Sequence, residues 1–231
     1  MDSRLVCLVV FVISSAVPYT KANGIITPLN YNFTHSDCGT TKLCVEKPNA
    51  CNPSGTSECF FASTRINITD KSLAIELSGS SIGYIALAAG LSSNLSKGDN
   101  AIFVCGNNSG TFFFETGGFQ NKIVTVIPFN ASNIQYRLKQ PSVIQCAFTI
   151  PINLSNNNIN ILGINFNKTK IPVFLEVYKG SYNGGVFGEP MTAFGSSVSV
   201  DLADVKSSGA TNSISTTTAL GLLAAVALRF L

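Results

Sequence analysis

Between Cys59 and Leu202 the apolar residues come in short runs, each cut off by Gly, Asn, Ser or Pro, and none repeats at the 3.6-residue spacing of a helix. That pattern excludes helix bundles and folds that alternate strands with helices, and it leaves an all-β chain. Eleven runs read as strands: Cys59–Ile66, Ser72–Leu77, Ile82–Ala89, Ala101–Cys105, Thr111–Phe114, Ile123–Ile127, Ile134–Leu138, Val143–Ile150, Ile159–Phe166, Val173–Tyr178 and Val198–Leu202. About eleven strands separated by turn residues predict a β-sandwich. Within Ser72–Leu77 the alternation is explicit, with Leu73, Ile75 and Leu77 on one face and Ala74 and Glu76 on the other. Asn183-Gly184 is a type I′ hairpin signal that joins Val173–Tyr178 to the chain beyond residue 184.

The two ends read as processing signals. After Arg4 the stretch Leu5–Val17 is apolar apart from Cys7, Ser14 and Ser15, and small residues follow up to Ala22. This is the pattern of a secretory signal peptide over residues 1–22, cleaved after Ala22 or Ala16. Near the other end, Ser207-Ser208-Gly209-Ala210 are consecutive small residues, Thr211–Thr218 is an uncharged polar spacer, and Ala219–Leu231 is apolar. Residues 206–231 therefore match a GPI-attachment signal, with Ser208 as the expected attachment residue and Ser207, Gly209 and Asn212 as competitors. The expected location is the extracellular face of the plasma membrane, with a secreted form as the alternative.

Six cysteines remain once Cys7 leaves with the signal: Cys38, Cys44, Cys51, Cys59, Cys105 and Cys146. An even number in an oxidising compartment predicts three disulfides. Cys105 and Cys146 lie in strand-like runs far from the other four and suit one another, so the cluster 38–59 pairs within itself, in an order left open. No two cysteines have the close spacing of paired zinc ligands, and no metal site is expected. Residues 23–58, studded with Pro and Cys, read as a stapled cap on a sandwich at 59–205 rather than as a second domain.

Only 12% of the chain is charged and its formal net charge is +3, with Lys and Arg dispersed, which excludes a nucleic-acid surface. Asn-x-Ser/Thr sequons at Asn32, Asn67, Asn94, Asn107, Asn130, Asn153 and Asn167 imply that glycans solubilise this weakly charged surface.

Several segments together carry a family pattern. They are Ser36-Asp37-Cys38-Gly39, Cys44, Cys51-Asn52-Pro53 and Cys59-Phe60-Phe61, then Leu77-Ser78-Gly79 with Gly83-Tyr84-Ile85-Ala86. Gly98-Asp99-Asn100-Ala101 leads to Cys105, and Tyr136-Arg137-Leu138 precedes Ile144-Gln145-Cys146-Ala147-Phe148. Over about residues 36–200 the chain resembles the DOMON domain of the ferric-chelate reductase family. The reeler and cytochrome b561 regions of that family lie outside the resemblance. It implies an immunoglobulin-like sandwich on the secreted side that can bind b-type haem or sugars. Haem-binding modules of this kind use an axial Met just before the Gly-Asp segment, where this chain has Lys97, and an axial His expected around Val186–Gly188, where it has none. Met191 and His35 lie outside those positions. A pocket inherited from the family would be lined by Tyr84, Phe103, Phe187 and Met191.

With one His and scattered carboxylates there is no Ser-His-Asp grouping, and no catalytic residue is nominated. His35 reads as structural, and Asp99 as a turn residue rather than a cation ligand. In Phe112-Phe113-Phe114 at least one ring must face away from its neighbours, and burial is preferred over an exposed ring that stacks on a sugar. The expected function is a non-enzymatic, lipid-anchored module that binds an extracellular ligand or a membrane protein, without a cofactor. A haem b electron-transfer module and a sugar-binding module are the alternatives.

Overall fold

The computed structural model describes residues 25–56, 58–67, 69–97, 100–139, 141–151, 172–196 and 199–202. Along the chain the strands are β1 (Ile26–Pro28), β2 (Leu43–Lys47), β3 (Phe60–Asn67), β4 (Ser72–Ser80), β5 (Tyr84–Gly90), β6 (Asn100–Asn108), β7 (Thr111–Gln120) and β8 (Ile123–Val126). The remaining strands are β9 (Ser132–Lys139), β10 (Val143–Pro151), β11 (Pro172–Gly180), β12 (Tyr182–Asn183), β13 (Val186–Phe187), β14 (Met191–Gly195) and β15 (Val200–Asp201). The chain is all-β, as the interrupted apolar runs require. Nine of the expected runs correspond to β3–β11 and a tenth to β15, while Ile159–Phe166 lies outside the described residues.

Two sheets face one another. The six-stranded sheet has the order β1-β9-β10-β4-β3-β2, and the seven-stranded sheet the order β14-β11-β5-β6-β7-β8 with β15 also on β11. Alternation sorts each strand between the sandwich interior and an outer face. In β4, Leu73, Ile75 and Leu77 are buried between the sheets while Ala74 and Glu76 face out. β5 is buried on both faces: Ile85, Leu87 and Ala89 enter the interior, and Tyr84, Ala86 and Ala88 belong to a second cluster on the outer face. A sheet that hides both faces needs a second cover, and the loops and the small β12–β13 ribbon supply it.

The interior is rich in aromatic contacts, with Phe148 packing on Phe103 at 5.5 Å and on Phe114 at 4.7 Å between ring centroids. Beside them Cys105 of β6 is bonded to Cys146 of β10, which ties the two sheets together at their centre. The other bridges are Cys38–Cys44 and Cys51–Cys59. They staple a segment whose strands extend opposite edges of one sheet, β1 in parallel with β9 and β2 antiparallel to β3. Leu29, Phe33, Cys59, Phe61 and Ala147 form a small core under this segment, on the outer face of the six-stranded sheet.

The five unexpected strands, β1, β2, β12, β13 and β14, are each five residues long or shorter. β1 contains Pro28, and β12, β13 and β14 are two to five residues long and bounded by Gly or Pro, too short to show a period. The hairpin signal also resolves differently. Asn183 pairs with Val186, so the two-residue turn is Gly184-Gly185, both with positive φ (57° and 100°), and it closes the β12–β13 ribbon. β11 itself pairs with β14 beyond the ribbon.

Candidate functional site

The outer face of the seven-stranded sheet carries an aromatic cluster under the ribbon. Tyr84 meets Phe187 edge-on at 5.2 Å, Tyr182 lies 5.1 Å from Phe187, and Phe113 lies 4.1 Å from Tyr182. The Phe113 ring rests so close to the backbone of β6 that only a glycine, Gly106, fits beneath it. The Tyr84 hydroxyl donates to the Gly188 carbonyl at 3.2 Å, and burial pushes its pKa up. Tyr178, packed on Phe119 at 4.7 Å, donates to the Glu176 carboxylate. Its pKa is also raised, first by burial and then by that carboxylate.

Beside this cluster a cleft of about 770 Å³ opens between β8 and the ribbon. Its walls are apolar: Ile123, Val124 and Val126 face Val186 and Phe187, with Ile123 65% and Val186 70% exposed. Lys122 and Glu189 bridge the mouth at 2.9 Å. Their mutual contact raises the lysine pKa and lowers that of the glutamate.

The expected pocket residues are only partly brought together. Tyr84 and Phe187 touch, but Phe103 does not join them. Its register partner is Leu87, and alternation along β6 turns it into the sandwich interior against Phe148. Met191 pairs with Lys179 at the β14 edge and is 58% exposed. Of the three consecutive phenylalanines, Phe112 and Phe114 are interior and Phe113 is on the outer face, covered by the ribbon.

The residues at the expected haem-ligand positions do not fit that group. Lys97 is exposed after β5, and Val186, Phe187 and Gly188 offer no side-chain donor to iron. His35 belongs to the other sheet's cap, where its Nε2 lies 2.5 Å from Glu46 and its ring stands edge-on to Phe61. Asp99 lies outside the described residues, as do Asn153, Asn167 and Ser208. Of the other sequons, Asn32, Asn67, Asn94 and Asn130 are exposed and Asn107 is half-buried.

A second recess, of about 410 Å³, has no counterpart among the sequence expectations. It lies on the outer face of the six-stranded sheet, where the stapled segment leaves part of the sheet uncovered. The register aligns Ser63, Glu76, Ala147 and Gln135 across four strands as its floor. Lys42, itself buried, reaches Glu76 at 3.1 Å and donates to the Thr34 carbonyl at 2.9 Å, while Ser63 donates to Glu76 at 2.6 Å. Arg65 and Asp37 pair at 3.3 Å at the rim. The pKa of Tyr31 is pushed up to about 12 by partial burial and then by the nearby Glu76. The only sequence signal for this network is an acidic residue at an outward position of β4.

The motif residues Arg137 and Gln145 hold the stapled segment. Arg137 donates to the carbonyls of Leu29 (2.8 Å) and Tyr31 (3.0 Å) and to the Asn32 side chain (3.0 Å). Gln145, fully buried, and Ser78 both donate to the Pro53 carbonyl, at 2.6 and 3.0 Å.

Against known proteins, the chain is 29% identical to ferric-chelate reductase 1 of Homo sapiens over 152 residues, 61% of this chain and 25% of the relative. It is 34% identical to ferric-chelate reductase 1 of Bos taurus over 98 residues, 38% of this chain and 16% of the relative. This chain is homologous to part of ferric-chelate reductase 1. It spans 12% to 25% of the length of such relatives, so the match concerns a segment and not the whole of them. No family model matches the chain, and no solved structure does.

Proposed function

We propose that this chain is a DOMON-type ectodomain, glycosylated and held at the cell surface by a GPI lipid, that binds an extracellular ligand or a membrane protein without enzymatic or haem chemistry of its own. The observation that carries this reading is the separation of His35 and Met191, the His and Met among the described residues, from the aromatic face of the seven-stranded sheet. A Met and a His on opposite sides of a porphyrin would set its iron chemistry. Here the lone His35 is engaged with Glu46 under the other sheet, and Met191 stands at an edge.

The cleft between β8 and the ribbon is the surface we assign to the ligand. Exposed Ile123 and Val186 supply apolar area, Phe187 lines the cleft with its ring held by Tyr84 and Tyr182, and the Lys122–Glu189 pair stands at the mouth. The relatives' name, ferric-chelate reductase 1, suggests a second reading in ferric reduction; if that role ran through haem, the residues at the expected ligand positions speak against it.

An absorption spectrum of the secreted domain, with a ferric-chelate reduction assay on the same sample, tests the proposal. No stoichiometric Soret band and no reduction are expected. Either one, retained through gel filtration, would overturn it.

A further inference from the structure

We infer that Asn32 carries an N-linked glycan whose first sugars lie in the recess on the outer face of the six-stranded sheet. Asn32-Phe33-Thr34 is a sequon, and Tyr31, Asn32 and Thr34 form one wall of that recess. The wall is held still. Phe33 is buried, Ser54 donates to its carbonyl at 2.7 Å, and Arg137 grips the carbonyls of Leu29 and Tyr31. Arg137 also binds the Asn32 Oδ1 at 3.0 Å, and among the described residues the Nδ2 donates to none, which leaves free the atom that takes the sugar. Asn67 differs, since its Nδ2 is engaged with Asp70 at 2.6 Å.

The recess suits a sugar chemically. Its charges are neutralised in pairs, Lys42 with Glu76 and Arg65 with Asp37, so the floor offers hydroxyls and amides to hydroxyls and an acetamido group. Tyr31, packed 5.8 Å from Phe33 and 41% exposed, presents a ring to the apolar face of a pyranose. A volume of about 410 Å³ falls within the roughly 300–1,000 Å³ of ligand pockets. A tethered sugar has an effective concentration in the millimolar range, so contacts too weak to capture a free saccharide suffice to seat it.

The modification joins Nδ2 to C1 of N-acetylglucosamine. It breaks the C1–O bond to a lipid-diphosphate-linked oligosaccharide, the lipid diphosphate leaves, and the amide loses one proton. The inference rests on the secretory reading of the chain, because only a chain in that pathway meets this donor.

The test is glycopeptide mapping of the full chain expressed in animal cells and purified from them, with hydroxyl-radical footprinting of Tyr31 in wild type, Thr34→Ala and Thr34→Ser. Thr34→Ala removes the sequon while keeping Asn32 and the Thr34 carbonyl that Lys42 binds, and Thr34→Ser keeps the sequon. Expected are an occupied Asn32, several-fold higher oxidation of Tyr31 in Thr34→Ala, and wild-type protection in Thr34→Ser. An unoccupied Asn32 beside occupied sequons elsewhere, or equal Tyr31 oxidation in all three proteins, overturns this inference alone. A chain glycosylated nowhere overturns the secretory reading and this inference with it.

Discussion

The guanidinium of Arg137 donates to the Leu29 carbonyl at 2.8 Å, which fastens the segment leading into the stapled cap to the strand beside it. The same fork reaches Tyr31 and Asn32, so a single planar group satisfies three acceptors that no strand partner serves. Lysine keeps the charge and loses the fork. Arg137→Lys is expected to destabilise the domain by about 1–3 kcal/mol, the scale of hydrogen bonds to charged groups. Urea unfolding measures the loss, and limited proteolysis should show new cleavage between Leu29 and Ser36. An unchanged midpoint would mean that the cap is held by its apolar contacts alone.

The bond between Cys105 and Cys146 closes a loop with a sequence separation of 41. On the loop-entropy model that constraint is worth about 4 kcal/mol. Cys146→Ser also leaves a hydroxyl where the site is fully buried. Delivery of this variant to the cell surface is expected to fall sharply, read by surface biotinylation against total lysate, with the shortfall retained in the cell.

How far these relationships are legible in the sequence differs by level. The strands of the sandwich follow from period-two runs such as Leu73, Ile75 and Leu77, and the far-apart cysteines pair across the sheets because no nearer partner exists. Contacts made by the backbone are invisible in that reading. Arg137 and Gln145 are recognisable as a pattern, yet their partners are carbonyls of Leu29, Tyr31 and Pro53, which carry no sequence signature. The grouping of Phe103 with Tyr84 fails for a related reason. Both are aromatic and close in the fold, but the side that each ring faces depends on the register between β5 and β6, where Tyr84 opposes Gly106 and Leu87 opposes Phe103.

Tyr31 gives the fold an alkaline signature. Its folded pKa of about 12 lies above the ordinary 10.0, so the folded chain binds the proton more tightly than the unfolded chain. The associated stability is fully present below pH 10 and is lost as the pH rises towards 12. Spectrophotometric titration should show a late-ionising tyrosine that Glu76→Gln shifts to lower pH. If Tyr31 ionises with the exposed tyrosines in both proteins, its link to Glu76 does not hold in solution.

The proposed lipid anchor has its own check. Phosphatidylinositol-specific phospholipase C should release the protein from intact cells, because a GPI-anchored chain is held only through the lipid that the enzyme cleaves. Mass spectrometry of the released form should find no peptide from Ala219–Leu231. Recovery of that peptide from protein that stays on the membrane would refute the anchor. Ser208→Pro alone is a weaker probe, since Ser207 or Gly209 can take the lipid.

The last prediction concerns haem, and it separates nonspecific capture from ligation. The aromatic face under the ribbon and the apolar cleft beside it will retain some porphyrin through contact area alone, so weak binding decides nothing. Ligation requires donors in fixed positions. Val186 and Phe187 have none, and Phe187 is locked between Tyr84 and Tyr182. Recruiting His35 would mean breaking its contact with Glu46 and crossing from one sheet to the other. Haem titrated into the purified domain should therefore give a broad Soret band that gel filtration removes, unchanged in His35→Ala and Met191→Ala. A sharp stoichiometric band abolished by either substitution would establish axial ligation and restore the electron-transfer reading.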